Sequence, residues 1–363
     1  MCPQLNASNE SLKNAYEPFF LIGTSVNPEN YKDSDCQSAN LIKQNFSVIT
    51  PENAMKWEHI HPKPGQYDFE EPDRLVDFAT RNGIKVVGHT LVWHSQTPEW
   101  VFEDKNGNPL NREELLNRMR DHIMTVVGRY KGKVMGWDVV NEALEEDGSL
   151  RESPWLKIIG EDYIEKAFEY AHEADPNAEL YYNDYRVEVP SKCGGALRIV
   201  KKLKAKGIRI DAVGVQGHSS LTGPSVKEQE DTIRAIYKAG VQAMITEMDI
   251  DVLPGSEGWG DADVQRREAQ NPELNPYTEN LPEEKQQELA QRYRDFFHMY
   301  LKNSEKITRV TLWGLNDKDS WLNFFPIPFR TNHPLLFDRN NHPKPAYFSV
   351  LQEGLLWKEK TED

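Results

Sequence analysis

The chain has 363 residues, of which 38% are hydrophobic and 28% charged, so it is long enough to bury a large core. Its formal net charge of −15 argues against a nucleic-acid phosphate partner, which would need a basic face. No apolar run approaches the roughly 18 residues of a membrane-spanning helix, so we expect no membrane span.

Eight apolar segments rich in β-branched residues recur along the chain. Near-continuous apolar character is typical of parallel strands that are buried on both faces. In chain order, the predicted strands are residues 19–26, 46–53, 84–94, 134–142, 179–187, 211–219, 241–250 and 309–317.

Segments with helical spacing separate these strands. Apolar positions fall on one side of residues 74–79 and recur every three or four residues in 115–123. Gly83, Gly207 and Gly240 stand where a helix ends and a strand follows, as a C-terminal cap requires. Strict alternation of eight strands and helices predicts the α/β class and a closed (β/α)8 TIM barrel.

An open doubly wound sheet is the alternative fold. If it bound a dinucleotide, it would need a Gly-rich phosphate turn after the first strand, and residues 23–27 do not supply one. No linker rich in Ser, Thr and Pro interrupts the chain. We therefore expect one catalytic barrel domain over residues 1–363, and we expect it to be a monomer.

Residues 253–281, after the seventh predicted strand, form a long stretch without periodicity. The stretch is rich in Gly, Pro, Asp, Glu and Asn, which predicts a surface loop inserted into the barrel. Two interpretations stay open, since the loop could shape a substrate subsite or be a passive elaboration.

Two predicted strands run into a glutamate, Glu142 on the fourth and Glu247 on the seventh. In a barrel of this kind the chemistry lies at the C-terminal ends of the strands. A pair of carboxyl groups delivered there is the equipment of a glycosidase, in which one acts as acid and the other as nucleophile. The position of these two residues therefore predicts glycoside hydrolysis.

Other strand ends send polar or aromatic groups toward the same rim. Because strand residues i and i+2 share a face, Asp249 points with Glu247. The same periodicity places His89, Leu91 and Trp93 on one face, pairs Asn183 with Tyr185, and pairs Gln216 with His218. A core would send Val, Ile and Leu there instead.

Seven blocks of the sequence resemble the retaining β-1,4-xylanases of glycoside hydrolase family 10, in the same order, over residues 20–351. The blocks are ENAMKW (52–57), GHTLVWH (88–94), WDVVNE (137–142), YNDY (182–185), VQGH (215–218), ITEMD (245–249) and TLWG (311–314). Met248 stands where the family usually has Leu, and this change keeps volume and apolarity.

The resemblance implies a role for each matching residue. Glu142 would be the general acid/base and Glu247 the nucleophile. His218 would hydrogen-bond Glu247, Asp249 would orient His218, and Asn141 would bond the sugar 2-hydroxyl. The other implied contacts hold sugar units: Glu52, Asn53 and Lys56 on the non-reducing side; His89, Trp93 and Gln216 around the sugar that is cleaved; Trp313 and Trp321 as cleft walls; Asn183 and Tyr185 toward the leaving group.

The implied substrates are xylan and xylo-oligosaccharides, and the implied mechanism is a double displacement that needs carboxyl groups roughly 5–5.5 Å apart. The field of two such groups keeps one protonated, because like charges raise a pKa. No metal and no organic cofactor is expected. The alternatives are the same chemistry on another β-1,4 backbone such as cellulose, a sugar-binding barrel without catalysis, and a metal-dependent hydrolase.

Two further features bear on metals and compartment. His59 and His61 form a His-x-His pair without further ligand spacing. The scattered Cys2, Cys36 and Cys193 indicate neither a disulfide framework nor a metal site, so we expect unpaired thiols. The first residues lack a basic region followed by an apolar stretch. A polymeric substrate still favours a secreted or periplasmic enzyme, with a cytoplasmic one as the alternative.

Overall fold

The structure, a computed structural model, describes residues 10–32, 36–255 and 271–362. Its strands, numbered in chain order, pair in parallel and form one closed barrel. They are β1 (Leu21–Val26), β2 (Val48–Pro51), β3 (Lys85–Val92), β4 (Gly136–Asn141), β5 (Glu179–Asp184), β6 (Ala212–Val215), β7 (His218–Ser220), β8 (Gln242–Asp251) and β9 (Ile307–Leu312).

Each barrel strand pairs with its neighbour in the chain, and two further pairings close the cylinder. β9 pairs with β1, bringing Leu21 opposite Arg309, and β6 pairs with β8, bringing Ala212 opposite Gln242. β7 is a short continuation of the sixth strand position that pairs with the end of β8. The prediction of a (β/α)8 barrel is therefore confirmed.

Helices surround the barrel and follow the strands in alternation. They are α1 (Leu12–Tyr16), α2 (Cys36–Asn45), α3 (Trp57–Ile60), α4 (Glu70–Arg81), α5 (Arg112–Arg129), α6 (Pro154–Ile159), α7 (Tyr163–Ala174), α8 (Pro190–Ala205), α9 (Val226–Lys238), α10 (Glu283–Lys302) and α11 (Pro345–Glu362). Four short 3-10 turns lie at Pro28–Tyr31, Glu99–Val101, Ser304–Lys306 and Trp321–Asn323. Among the described helices, none is long and apolar enough to cross a bilayer.

Local sequence explains where several elements begin and end. A capping box of Asn111 and Glu114 starts α5, with each side chain bonding the other residue's backbone N–H. The predicted helix ends are confirmed at Gly83, Gly207 and Gly240, which have φ values of +64°, +68° and +83°. These left-handed values favour glycine, because no Cβ opposes them.

Six of the predicted strands differ from the observed ones by at most three residues at either end, and the other two differ more. The sixth, predicted as 211–219, is divided into β6 and β7, because Gly217 between them has a φ of +80° and interrupts the extended backbone. The eighth, predicted as 309–317, begins earlier at Ile307 and ends at Leu312. Gly314 has a φ of +132°, so the chain turns away from the sheet there although its residues stay buried.

The core has two parts. A small cluster drawn from five strands lies inside the barrel and includes Val48, Val87 and Met244. A much larger apolar layer packs between the strands and the helices. Because the interior of the barrel is filled with side chains, it is a packed core, and the strand ends above it are the place for a site.

The predicted insertion 253–281 falls partly outside the described residues. Residues 253–255 and 271–281 contain no helix or strand, in agreement with a loop, and residues 256–270 lie outside the described part of the chain. Arg330 donates to the carbonyl oxygens of Pro254 (2.9 Å) and Leu274 (3.3 Å), so both ends of the loop contact the segment after β9.

The prediction of unpaired cysteines is wrong for one residue. Cys36, the first residue of α2, takes part in a disulfide, whereas Cys193 in α8 is a free, buried cysteine. The sequence spacing gave no sign of this bond, because cysteines paired by the fold need not be close in the chain.

Candidate active site

Glu142 lies immediately after β4, where the chain leaves the barrel. Its φ of +54° is in the left-handed region, and its backbone N–H donates to the carbonyl oxygen of Asn183 at 2.9 Å. Both carboxyl oxygens are held: Oε1 accepts from Gln216 (3.0 Å) and Asn141 (3.3 Å), and Oε2 accepts from the indole of Trp93 (2.9 Å). Hydrogen-bond donors in or just after β3, β4 and β6 thus hold the carboxyl group of Glu142 in place.

Glu247 lies within β8, and only 5% of its surface is exposed. Its Oε1 accepts from Asn183 at 2.8 Å, and its Oε2 is 3.3 Å from Nε2 of His218. Burial alone would raise the pKa of Glu247. The hydrogen bond from His218, the positive fields of His89 and His218 and the hydrogen bond from Asn183 outweigh it and lower the pKa. Glu247 is therefore an ionised carboxylate at neutral pH.

His218, Asp249 and Trp321 support Glu247 from one side. Nδ1 of His218 is 3.0 Å from Oδ1 of Asp249, and the indole of Trp321 donates to Oδ2 of Asp249 at 2.7 Å. Burial opposes charge on His218, but the charge and hydrogen bond of Asp249, with those of Glu247, raise the pKa of His218 to about 10. His218 is thus a cation held against the carboxylate.

Two amide side chains link the glutamates. Nδ2 of Asn183 donates both to Glu247 and to Oδ1 of Asn141 (2.9 Å), and Asn141 donates in turn to Glu142. Thr246 donates to Oδ1 of Asn183 at 2.6 Å, which fixes the orientation of that amide. The structure therefore brings Glu142 and Glu247 into one hydrogen-bonded group at the same rim of the barrel.

Lys56 and Asn53 lie beside this pair, after β2. Nζ of Lys56 donates to Asn53 (2.9 Å) and to Gln96 (2.8 Å), and it lies 5.0 Å from the ring of Trp93. Burial lowers the pKa of Lys56, while the fields of nearby glutamates, led by that of Glu247, act in the opposite direction. The lysine therefore faces the acidic centre.

Glu52, the residue after β2, completes this side of the cleft. Its pKa is raised, chiefly by burial and further by the charge of Asp319, and the charge of Lys56 only partly offsets this. Glu52 and Lys56 thus form a second, mixed-charge group next to the glutamates.

His89 packs against aromatic residues of the predicted set. Nδ1 of His89 is 2.9 Å from Oδ2 of Asp138, and its ring meets the edge of Trp313 at 5.3 Å between centroids. The ring of Trp93 is 6.5 Å from that of His89. The structure therefore places His89 between two aromatic residues of the predicted set.

Tyr185 is the predicted residue with the least direct link to the glutamates. Its hydroxyl accepts from Arg151 at 2.8 Å, and the ammonium of Lys192 lies 3.2 Å from its ring centre. Arg151 also donates to the backbone oxygen of Glu142 at 3.1 Å. Tyr185 thus reaches the acid/base candidate through Arg151.

Sequence reasoning missed several residues of this site. Arg151 and Lys192 lie in a loop and a helix without a strand-end pattern, so no signal marked them. Asp184 lies within the YNDY block and was overlooked, although it is fully buried and bonds Lys192 at 3.0 Å. Burial raises the pKa of Asp184 to about 7, despite the opposing charge of Lys192.

Among the described residues, no group of three or more His, Cys, Asp or Glu side chains is arranged so that it could hold a metal ion. His61 of the His-x-His pair is buried, with Nδ1 3.2 Å from Nδ1 of His122. His59 is largely exposed beside Glu58. The two histidines therefore contact different neighbours.

Comparison with known proteins places the chain in a family. The model of glycosyl hydrolase family 10 matches residues 11–353. Endo-1,4-beta-xylanase A of Xylanibacter ruminicola is 45% identical over 94% of this chain and 93% of its own length. A GH10 endoxylanase structure from a sugarcane soil metagenome has a TM-score of 0.90 and 47% identity, covering 95% of this chain and 99% of that one.

A second solved structure is less similar. It is the intracellular xylanase of Thermoanaerobacterium saccharolyticum, in complex with xylotriose, with a TM-score of 0.81 and 36% identity over 93% of this chain and 97% of that one. The family model, the high identity and the near-complete coverage agree with the barrel and its paired carboxyl groups. The chain belongs to glycosyl hydrolase family 10.

Proposed function

We propose that the protein is an endo-β-1,4-xylanase that hydrolyses internal xylosidic bonds of xylan by a retaining double displacement. One observation carries the proposal: Glu142 and Glu247 meet at one rim of the barrel, joined through Asn141 and Asn183. Family membership and relatives that are themselves named endo-1,4-beta-xylanases support the choice of xylan.

In the first step Glu247 acts as nucleophile and Glu142 as acid. The Glu247 carboxylate attacks the anomeric carbon, the bond to the leaving oxygen breaks, and Glu142 gives its proton to that oxygen. The lowered pKa of Glu247 supports this assignment, because the nucleophile must be ionised before the sugar arrives. The product is a glycosyl ester on Glu247.

In the second step Glu142 acts as base, because Glu247 has lost its charge in the ester. The ester carries no charge, so Glu142 is free to ionise and take a proton from water. The water oxygen attacks the anomeric carbon, the ester bond breaks, and Glu247 leaves as a carboxylate. The His218 cation stabilises that departing charge, and Asp249 keeps His218 protonated and oriented.

The predicted binding residues differ in whether their hydrogen-bonding groups are still available for a sugar. We propose that Glu52, Asn53 and Lys56 hold sugars on the non-reducing side, and that Asn141 bonds the 2-hydroxyl. Asn183 differs, because its two amide hydrogens are already used by Asn141 and Glu247. We assign it the positioning of those two residues. The cleaved sugar would lie among His89, Trp93 and Gln216, with Trp313 and Trp321 as walls and Tyr185 toward the leaving group.

Substitution of each glutamate separates the two roles. With an aryl xylobioside that has a good leaving group, Glu142→Ala should still form the glycosyl-enzyme, since that step needs little acid assistance. Glu247→Ala should lose activity on every substrate. Mass spectrometry of the trapped ester and burst kinetics measure the difference. Glu161→Ala, at a side chain that is 76% exposed, is the control and should match the parent.

Substrate choice is tested by the release of reducing sugar from xylan and from carboxymethyl cellulose. We expect hydrolysis of xylan, and activity confined to the cellulose derivative would contradict the proposal. Equal loss of the first step in both glutamate variants would contradict the assignment of roles.

We also propose that the chain is one catalytic barrel domain, with 253–281 as an insertion, and that it acts as a monomer. The hydroxyl of Tyr16 in α1 donates to the carbonyl of Val350 in α11 at 2.8 Å, so the two ends of the described chain pack together. Light scattering measures the oligomeric state, and a dimer mass would contradict this part.

We further propose a secreted or periplasmic enzyme. The disulfide of Cys36 supports an oxidising compartment, in which such bonds persist. The intracellular relative from Thermoanaerobacterium saccharolyticum keeps the cytoplasm as the alternative. Fractionation of the source cells, followed by activity on xylan, decides between the two.

A further inference from the structure

Three phenylalanines are exposed within six residues after the turn Trp321–Asn323. Phe324, Phe325 and Phe329 have 61%, 39% and 63% of their surface exposed. Clustered apolar side chains at a protein surface mark binding sites more often than isolated ones do. We call these three residues the phenylalanine platform.

The segment that carries the platform is firmly attached to the barrel. Nδ2 of Asn323 donates to the carbonyl oxygens of Asp317 and Ser320, both at 2.9 Å, and Oδ1 of Asn323 accepts from the backbone N–H of Asn332 and from Arg339. The buried Asn323 thus ties the two ends of the segment together. The outward position of the phenylalanine rings is therefore a property of an anchored loop.

Phe329 also carries backbone strain. Its φ of +66° lies in the left-handed region, where glycine is favoured and a bulky residue is an outlier. The ring contact that accompanies this conformation is the edge of Phe324, at 6.3 Å between centroids, on an exposed surface. Phe329 thus combines a strained backbone conformation with an exposed ring, so burial of the ring does not offset the strain. Such uncompensated strain is typical of functional sites.

The platform is continuous with the candidate active site. The ring of Trp321 lies 4.8 Å from that of His218, and the ring of Phe325 stacks on Trp321 at 5.0 Å with an interplanar angle of 23°. His218 contacts Glu247 directly. A series of rings therefore leads outward from the proposed nucleophile to the exposed surface.

We propose that the phenylalanine platform binds xylosyl units of the xylan backbone that lie outside the sugars held at the two glutamates. This inference rests on the proposed function. The hydroxyls of a β-linked xylopyranose are equatorial, so the two faces of the ring present apolar C–H groups, and phenylalanine offers a flat apolar face without a polar group. Recognition here is by stacking, and it extends the cleft beyond Trp321 for long chains.

Chain length is the variable that tests the platform. Phe324→Ala, Phe325→Ala and Phe329→Gly are compared with the parent on 4-nitrophenyl β-xylobioside, on xylohexaose and on linear xylan. We expect kcat/KM on the short substrate to stay within about twofold, while KM on the long substrates rises about two- to tenfold for each ring removed. Phe348→Ala, at a residue of α11 that is 54% exposed, is the matched control and should change neither value.

Phe329→Gly gives a second readout that a merely structural role would not produce. Because glycine relieves the strained backbone, the variant should keep or raise the Tm while its KM for long chains rises. A lower Tm with unchanged KM at every chain length would overturn the platform. A parent enzyme that hydrolyses xylan, with all three variants equal to it, would overturn this inference and leave the proposed function standing. A parent without activity on xylan would refute the proposed function itself.

Discussion

Asp249 shows how one buried residue sets the charge of another. It is fully buried and accepts from His218 and from Trp321, and its charge is the main reason that the pKa of His218 rises to about 10 although burial acts against it. His218 therefore stays protonated across the neutral and mildly alkaline range. The cation next to Glu247 depends on a residue that does not itself contact Glu247 in any described hydrogen bond.

Removal of that charge should change the pH profile. In Asp249→Asn the pKa of His218 should fall by about one to three units, since a neighbouring opposite charge is worth that much. His218 then becomes neutral at a lower pH. With an aryl xylobioside whose good leaving group needs little acid assistance from Glu142, the alkaline limb of kcat/KM should move to lower pH by a similar amount. Measurement of kcat/KM from pH 5 to 10 tests this. Asp231→Asn, at an exposed side chain of α9, is the control, and an unmoved limb in Asp249→Asn would refute the argument.

At the residue scale, the sequence predicted which residues form the site better than it predicted the hydrogen bonds between them. Glu142 and Glu247 could be found because each ends or closes an apolar strand, and strand ends meet at one rim. The link through Asn183 could not be found, because the same amide might bond a sugar or a neighbour until Thr246 and Asn141 are placed in space. Arg151 lies in a loop, where no periodicity marks a side chain.

At the scale of elements, glycines in the strands decide how closely neighbours approach. A Cβ at Gly88 in β3 would lie 2.1 Å from the ring of Trp137 in β4, and a Cβ at Gly136 would lie 2.3 Å from the hydroxyl of Tyr181 in β5. Large aromatic rings of one strand thus occupy the space left by glycines of the next. These contacts fix the spacing of the strands that carry Glu142 and its partners.

Two alanine substitutions test this packing. Gly88→Ala should lower the free energy of unfolding by about 3 kcal/mol or more, because backbone and ring have little room to move apart. Gly128→Ala, in helix α5 with open space around it, should raise that free energy by about 0.5–1 kcal/mol through its better helix propensity. Urea denaturation at neutral pH measures both, and a similar effect of the two changes would contradict the packing argument.

The observed elements also show where periodicity stops being informative. Residues 211–219 were predicted as one strand from their apolar pattern, yet Gly217 turns the chain so that β7 pairs with the end of β8. A glycine in a strand pattern fits both a strand and a bend, and only the partner strand decides. That bend is what brings both Gln216 and His218 onto the glutamates.

For the whole molecule, a buried histidine pair limits stability in acid. His61 and His122 approach within 3.2 Å through their Nδ1 atoms, and His122 stacks on Trp57 at 3.6 Å. Burial, with the charge of Arg118, lowers the pKa of His61 to about 4, and burial, with the neighbouring His61, holds the pKa of His122 well below its ordinary value. Both rings are neutral in the folded protein at neutral pH.

The sign of the pH effect follows from proton uptake. Below the ordinary histidine pKa of about 6.5, these two histidines bind protons in the unfolded chain but not in the folded protein. The free energy of unfolding is therefore unaffected by them above that pH and decreases as the pH falls toward 4. His61 alone should account for up to about 3 kcal/mol of this loss. Urea midpoints between pH 7 and 4.5 measure it. His61→Gln should flatten the slope, and an unchanged slope would contradict the argument.

The fold as a whole was the most predictable level. Eight buried strands alternating with helices leave few arrangements, and in the closed barrel every described strand except the short β7 is paired on both sides. The disulfide of Cys36 was not predictable, because three scattered cysteines give no spacing rule. The placement of the segment after β9 was not predictable either. Arg330 and Asn323 fix it by hydrogen bonds to backbone carbonyl oxygens, and because every residue has such an oxygen, the sequence does not show which ones are used.

The shared amides of Asn141 and Asn183 have a consequence for anyone who wishes to redesign this enzyme. Because the same few hydrogen bonds hold both carboxyl groups, a change made to tune glycosylation also alters deglycosylation. The two half-reactions cannot be adjusted one at a time from these positions. A change that affects one glutamate at a time has to be made at a donor that bonds only that glutamate, such as Trp93 or Gln216 for Glu142 and His218 for Glu247.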